Sequence, residues 1–221
     1  MIADNMEKEI TINKSKLLSS IIMVSIFRSM GRSIMKSAMR VLMCIAVAAC
    51  CFGQEDLKKV LSFETEHPGG WPGGWKGGPV GTIFVDENVV HSGRWSVRLE
   101  RTASSTEDFS VITKTMPMKF TGKRIDLFGW LKLENVSGWV GLWLREDGRT
   151  GKIWEFGNMA SRQLKGTHDW AEYSEAIPIN SKATELRFGF LMVGTGKAWA
   201  DDLDLYVDGK LVWELPKEIK N

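Results

Sequence analysis

From residue 54 to the C-terminus, hydrophobic and polar residues alternate in short runs, the period of two that is typical of strands with one buried face. Turn-forming pairs separate the runs, among them Ser92-Gly93, Asp147-Gly148 and Asp208-Gly209. No segment after Leu61 has the period of a helix that could connect parallel strands. The pattern therefore predicts an antiparallel β-sandwich or barrel. The predicted strands are Thr82–Asp86, Trp95–Arg101, Phe109–Thr115, Arg124–Glu134, Trp139–Arg145, Lys152–Phe156, Ala171–Ile179, Glu185–Val193, Lys197–Tyr206 and Lys210–Trp213.

Two of these strands, consecutive in the chain, carry aliphatic residues at every second position, which we assign to the core. The opposite positions hold Trp130 and Lys132 in one strand and Trp143 and Arg145 in the next. Because consecutive strands tend to be neighbours, we expect one outer face to carry all four side chains, with Trp154 beside them. Such a face suits a sugar ring, which stacks on an indole while its hydroxyls find polar partners. The alternative is that a loop covers these tryptophans and makes a second small core.

A glycine-rich segment from His67 to Pro79 repeats the motif PGGW in degenerate form. Its composition predicts a segment without regular structure. It either presents Trp71 and Trp75 to a ligand as a mobile loop or folds back so that they cap one end of the sandwich. We favour the second interpretation. The segment is not a phosphate-binding loop, because the Gly-Lys-Ser/Thr sequence of such loops does not follow it.

Residues 35–53 have the layout of an export signal. Two basic residues precede a run of nine apolar residues, 41–49, which is too short to span a bilayer because that needs about 20 residues. Val47-Ala48-Ala49-Cys50 resembles a lipobox, in which the thiol of Cys50 is lipidated. The alternative is cleavage before Gln54 into a soluble protein. Either route predicts an exported protein that is periplasmic, on the cell surface or secreted, with a lipid anchor as its only contact with a membrane.

Residues 1–34 contain a second, shorter apolar patch that basic residues interrupt. We interpret them as an unstructured N-terminal extension, with translation starting at Met35 or Met39. A basic tail associated with the membrane is the alternative. The resulting organisation is an extension at 1–34, a leader at 35–53 and one β-sandwich domain at 54–221.

The leader also accounts for the net charge and the cysteine count. Residues 1–53 hold seven Lys and Arg but three Asp and Glu, so the formal charge of +2 for the whole chain becomes about −2 for the remainder. That balance argues against a nucleic-acid partner. Because the three cysteines are Cys44, Cys50 and Cys51, the domain is predicted to fold without a disulfide.

The sequence shows no recognisable catalytic motif. The three histidines, His67, His91 and His168, lie far apart in predicted loops, and no metal-binding spacing accompanies them. No G-x-S-x-G motif occurs, and the predicted domain has no cysteine nucleophile. Asp201 and Asp202 are adjacent on a strand and therefore point to opposite faces, which excludes an acid–base pair. We predict that the protein is not an enzyme.

Short motifs through the predicted domain match one class of sandwich. They are Phe63-Glu64, Val90-His91-Ser92-Gly93-Arg94-Trp95-Ser96-Val97-Arg98-Leu99, Gly129-Trp130-Leu131-Lys132, Gly141-Leu142-Trp143-Leu144-Arg145, Asn158-Met159, Leu164-Lys165-Gly166-Thr167-His168-Asp169-Trp170, Phe188-Gly189-Phe190, Gly194-Thr195-Gly196 and Gly196-Lys197-Ala198-Trp199-Ala200-Asp201-Asp202-Leu203. With them the chain resembles the jelly-roll carbohydrate-binding modules of the galactose-binding-like superfamily. It is most similar to the module found in front of bacterial tail-specific-protease-like peptidases and in some regulatory proteins. The resemblance covers about Leu61 to Glu214, and it implies an all-β, antiparallel two-sheet jelly roll behind the signal peptide.

The resemblance also implies a structural Ca²⁺ where the first and last strands meet. The pattern maps onto Glu64 and Asp201, with backbone carbonyls near Arg94–Ser96, and oxygen ligands of these kinds suit calcium. The alternatives are a surface acid for Glu64 and a hydrogen-bonding residue at a bulge for Asp201, which interrupts the predicted inward series Trp199, Leu203 and Leu205.

From these observations we expect a non-catalytic, exported module that binds a glycan. Trp130 and Trp143 would stack on the sugar with Trp154 beside them in the site, and Lys132 and Arg145 would hydrogen-bond to it. The alternative is a module that binds a cell-envelope protein through the same face, as an accessory to a separate enzyme. No peptidase domain follows the module in this sequence, so we expect it to act alone or with a partner.

Overall fold

The computed structural model of the protein describes residues 57–215. The predicted extension, the leader and the lipidated Cys50 lie outside the described residues and stay predictions. Residues 57–61 are helical, and the rest of the described chain is almost entirely strands and turns. Within this range no helix has the length and apolar character that crossing a membrane requires.

The described residues form ten strands, all paired antiparallel, as the alternating pattern predicted. Two of the predicted strands are a single strand of 24 residues, β5. The ten strands are β1 (Lys76–Gly78), β2 (Ile83–Asp86), β3 (Ser96–Arg101), β4 (Phe109–Pro117), β5 (Arg124–Asp147), β6 (Ile153–Asn158), β7 (Leu164–Pro178), β8 (Glu185–Val193), β9 (Gly196–Val207) and β10 (Lys210–Leu211).

Strand β5 belongs to both sheets of the sandwich. Its first half, residues 124–134, lies between β7 and β9, and the order β2-β3-β9-β5-β7 forms sheet I. Its second half, residues 139–147, pairs with β8, and residues 143–147 also pair with β6 on the other side. The order β1-β4-β8-β5-β6 forms sheet II. The short β10 extends sheet I by pairing with β9.

The side-chain alternation in β5 explains how one strand serves two sheets. In the first half the odd-numbered aliphatic residues are fully buried, and in the second half the even-numbered ones are. The change of parity follows register irregularities after Leu131, and Asn135 between the halves has a left-handed φ of 52°. An irregularity of this kind turns the same face of the chain from solvent toward the core. Each half therefore adds its aliphatic side chains to one hydrophobic core.

The glycine-rich segment was only partly predicted. It contains the three-residue strand β1, which pairs with β4, so the expectation that it has no regular structure was wrong. The interpretation that its tryptophans fold back onto the sandwich is confirmed. Trp75 is 4% exposed and packs against Phe63 and Phe188, with ring centroids 5.2 and 5.9 Å away. The Nε1–H of Trp71 donates to the carbonyl oxygen of Trp75, which fixes the turn between them.

Candidate functional site

The outer face of sheet I carries a cavity of about 560 Å³, here called the sheet I cavity. Its centre is an aromatic pair, Phe128 on β5 and Tyr206 on β9, whose rings meet edge to face with centroids 5.3 Å apart. Alternation places both side chains outward, because their neighbours Leu127 and Leu205 are fully buried in the core. The cavity is lined by Arg124, Asp126, Phe128, Glu172, Tyr206 and Gly209.

Carboxylates surround this aromatic pair. Burial and the charges of Asp202 and Glu172 raise the pKa of Asp204, which lies directly across from Phe128. Burial, followed by the charges of Asp204 and Glu172, also raises the pKa of the Tyr206 hydroxyl. The wall therefore combines apolar ring faces with acceptors for hydroxyl groups.

Trp130 lies further along the same face, but a loop covers it. The imidazole of His91 stacks on the indole with centroids 3.8 Å apart and planes 14° apart, and Trp170 meets the same imidazole edge-on. The Nδ1 atom of His91 lies 2.8 Å from an oxygen of Asp202. The covering loop is thus residues around His91 rather than the glycine-rich segment. For Trp130, this geometry matches the covered-face alternative.

The structure does not bring Trp130 and Trp143 together. Trp130 is in the first half of β5, between β7 and β9, whereas Trp143 is in the second half, between β6 and β8. The outward-facing residues of the two halves belong to different sheets, so the expectation of one shared platform was wrong. Trp143 is also only 7% exposed.

The two predicted polar partners are engaged by carboxylates. Lys132 forms an ion pair with Asp169 on β7. Arg145 lies 2.9 Å from Asp147, which also binds Arg187 on β8. These residues separate into two local networks, one on each sheet.

Trp154 takes part in neither network of ion pairs. It is half-buried, packs partly against the core and lines a second cavity of about 570 Å³, here called the turn cavity. The ammonium of Lys152 lies 3.8 Å from the centroid of its ring. Trp154 therefore keeps a place in a candidate site, but without Trp130 or Trp143.

Asp201 and Glu64 hold the loop that covers Trp130 at two points, the middle of the loop and its end next to β3. One oxygen of Glu64 accepts hydrogen bonds from the backbone N–H groups of Arg94 and Trp95, at 2.7 and 2.9 Å. One oxygen of Asp201 accepts from the N–H groups of His91 and Ser92, at 2.9 and 3.2 Å. These carboxylate oxygens are thus occupied by backbone N–H donors. A calcium ion would need the same oxygens, and further oxygen acceptors, to point at it instead.

Asp201 lies at a break in the register between β5 and β9, and its neighbour Asp202 has a left-handed φ of 46°. These observations agree with the bulge alternative. The predicted inward series was wrong in one member. Ala198 and Ala200 face the core before the bulge, whereas Trp199 faces outward and donates from Nε1 to Asp86.

The resemblance implied a calcium ion at Glu64 and Asp201, but the residues present do not fit a calcium cage as they stand. Among residues 57–215, no three His, Cys, Asp or Glu side chains are placed to share a metal ion. Because N–H donors already hold Glu64 and Asp201, we expect the melting midpoint in calcium and in EDTA to agree within about 1 °C. Calorimetry in both buffers is the measurement. A rise of several degrees with calcium would contradict this expectation and support the ion.

Sequence reasoning missed the aromatic pair of the sheet I cavity. The alternation in β5 does place Phe128 outward, but Trp130 on the same face was chosen as the candidate because an indole offers the larger stacking surface. Tyr206 faces outward because the bulge at Asp201 shifts the alternation of β9, and the sequence alone does not locate that shift. One signal in the sequence could have identified Tyr206. Leu203 and Leu205 fit the core, so alternation leaves Asp204 and Tyr206 for the outer face.

No family model matches this sequence. An uncharacterized HTH-type transcriptional regulator, YbfP of Bacillus subtilis (strain 168), is 27% identical over 146 residues, which are 65% of this chain and 50% of the regulator. The chain therefore spans half the length of the curated relative that it matches.

Solved structures of carbohydrate-binding modules have a similar fold. The CBM22-1–GH10 modules of Clostridium thermocellum endo-1,4-β-D-xylanase 10B, complexed with xylohexaose, match with a TM-score of 0.50 at 16% identity, over 67% of this chain and 28% of that chain. The CBM22-1 xylan-binding domain of Paenibacillus barcinonensis Xyn10C matches with a TM-score of 0.46 at 14% identity, over 67% and 92%. The first of these likenesses supports the antiparallel β-sandwich fold described above.

Proposed function

We propose that this protein is a non-catalytic, exported module that binds a glycan in the sheet I cavity. The observation that carries the proposal is the aromatic pair of Phe128 and Tyr206 in a cavity of about 560 Å³ that carboxylates line. A cavity of this volume lies within the range of small-molecule sites, which is about 300–1,000 Å³. It has room for a short stretch of a saccharide.

The chemistry of the lining matches that of a sugar. The C–H face of a pyranose is apolar and packs on an aromatic ring, and the exposed parts of Phe128 and Tyr206 offer such surfaces. Hydroxyl groups of the sugar would donate to the carboxylates of Asp126 and Glu172. Arg124, which lies 2.6 Å from Asp126, would donate to a sugar oxygen. In this arrangement Trp130 stiffens the wall of the site under His91, and the ligand does not stack on it.

Similar proteins support this proposal only through their fold and through the ligands of the matched structures. One matched structure is a xylan-binding domain and another holds xylohexaose. The match covers half of an HTH-type regulator, which supports the idea that modules of this kind also occur within longer chains. Binding of a cell-envelope protein is the alternative function, and the association with tail-specific-protease-like peptidases stays a prediction.

Truncation of the aromatic pair tests the proposal. We expect Tyr206→Ala and Phe128→Ala each to weaken glycan binding by about tenfold or more, because each removes a stacking surface at the centre of the cavity. A glycan array identifies the ligand, with xylo-oligosaccharides and galacto-oligosaccharides among the probes, and calorimetry measures the affinity.

The matched control is Phe156→Ala, which removes the same side chain from an exposed position on β6 in sheet II. It should leave the affinity unchanged. Circular dichroism confirms that each variant keeps its fold. Binding that survives both cavity substitutions would contradict the proposed site, and a folded protein that binds no glycan while it captures an envelope protein would favour the alternative function.

A further inference from the structure

The turn cavity is built from three turns at one end of the strands. Residues 117–119 begin at the last residue of β4, residues 148–150 follow β5, and residues 181–184 precede β8. Trp154 forms an aromatic side of the cavity. The full lining is Pro117, Met118, Lys119, Gly148, Arg149, Thr150, Trp154, Ser181, Lys182, Ala183 and Thr184.

All charged side chains in this lining are basic. They are Lys119, Arg149 and Lys182, and Lys152 adds a fourth cation above the indole of Trp154. The ammonium of Lys182 also lies 5.3 Å from the centroid of that ring. Within residues 57–215 none of these four cations forms an ion pair. The cavity therefore holds a positive potential that no partner on the described chain neutralises.

The acidic side chain that directly precedes the turn at 148–150 is already neutralised. Asp147, which precedes the turn at 148–150, has an oxygen 2.9 Å from both Arg145 and Arg187. Its carbonyl oxygen accepts the N–H of Thr184. The carboxylate thus serves sheet II and leaves the cations of the cavity free.

Backbone hydrogen bonds hold the walls of the cavity in place. The N–H of Gly148 donates to the carbonyl of Lys152 at 2.8 Å, and the N–H of Thr184 donates to that of Asp147 at 2.9 Å. The N–H of Met118 donates to the carbonyl of Thr184 at 3.0 Å, which joins two of the three turns. A site with walls already held in this way requires less ordering when a ligand binds.

We propose that the turn cavity is a second binding site, which takes an acidic saccharide, that is, a sugar carrying a carboxylate. The volume of about 570 Å³ is far larger than a lone oxyanion needs. The hydroxyls of Thr150 and Ser181 and the edge of Trp154 suit a polyhydroxylated ring, and the lysines and Arg149 suit its carboxylate. The sheet I cavity, lined by Asp126 and Glu172, disfavours such a ligand. The second site is separate from the proposed function and does not depend on it.

The test compares a β-1,4-linked glucuronic acid trimer with cellotriose, which carries a neutral hydroxymethyl group in place of each carboxylate, by calorimetry on the folded protein. We expect the acidic trimer to bind at least about tenfold more tightly than cellotriose, with weaker binding as NaCl rises from about 50 to 500 mM. The double substitution Lys119→Gln with Lys182→Gln should weaken its binding about tenfold or more. The matched control, Lys123→Gln with Lys165→Gln, removes two exposed lysines that do not line the cavity and should leave binding unchanged.

Three results would overturn the inference. Equal binding of the acidic trimer to both double variants would place it elsewhere. Equally tight binding of inorganic phosphate or acetate at the same lysines would show an oxyanion site without preference for a sugar. Loss of binding in Tyr206→Ala but not in Lys119→Gln with Lys182→Gln would assign the trimer to the sheet I cavity, which would leave the proposed function standing and remove the second site.

Discussion

Replacing Phe188 by alanine is expected to lower the free energy of unfolding by about 3–5 kcal/mol, the usual cost of deleting a buried phenylalanine ring. Phe188 is fully buried, lies opposite Leu144 in the register of sheet II and packs edge-on against Trp75. Its removal therefore leaves a cavity at the point where the glycine-rich segment meets the core. Urea denaturation followed by circular dichroism measures the change.

The exposed Phe156 provides the control for this substitution. It is 56% exposed on β6, so Phe156→Ala removes the same ring with little loss of buried surface and should cost less than about 1 kcal/mol. If Phe188→Ala costs no more than Phe156→Ala, the packing of Trp75 on sheet II is not as described.

A second large effect is expected from pH, through Asp201. Burial and, next, the charge of Asp202 raise the pKa of the Asp201 carboxyl from its ordinary 3.8 to about 7. Between these two values the folded protein keeps a proton that the unfolded chain releases, so stability falls as pH rises from about 4 to 7 and is constant above that. Each pKa unit corresponds to about 1.4 kcal/mol, which sets an upper limit of about 4 kcal/mol on the loss.

Comparison of Asp201→Asn with the wild-type protein isolates this contribution. The amide does not titrate, so the part of the fall between pH 4 and 7 that Asp201 causes should disappear from its unfolding free energies. Glu146 and Asp204, whose pKa values burial also raises, act in the same direction and remain in both proteins. An unchanged slope in Asp201→Asn would contradict the assignment.

The strand pattern was predictable because a strand with one buried face has hydrophobic residues at every second position. Glu185–Val193 was predicted with its observed bounds, and most other strands were correct within a few residues. The joining of two predicted strands into β5 was not predictable, because Asn135 looks like a turn residue and its left-handed backbone is in fact part of a continuous strand. That single feature separates Trp130 from Trp143.

The candidate site was less predictable than the fold, because it depends on contacts between distant segments. His91 stacks directly on Trp130. The loop that carries His91 is held by Asp201 and Glu64, which come from distant parts of the chain. The alternation of a strand shows which side chains leave the core. It does not show which of them a loop then covers, and this is why Phe128 and Tyr206 were overlooked in favour of larger rings.

The position of β5 between other strands also lowers the tendency of this long hydrophobic strand to aggregate. A long hydrophobic strand with an unpaired edge can recruit other chains and aggregate. Over residues 124–134, β5 is flanked by β7 and β9, and over 143–147 by β6 and β8. The backbone groups of β5 in these ranges are therefore already paired in the native fold. The strand edges that could pair with another chain belong to shorter strands such as β1 and β2, which end the strand order.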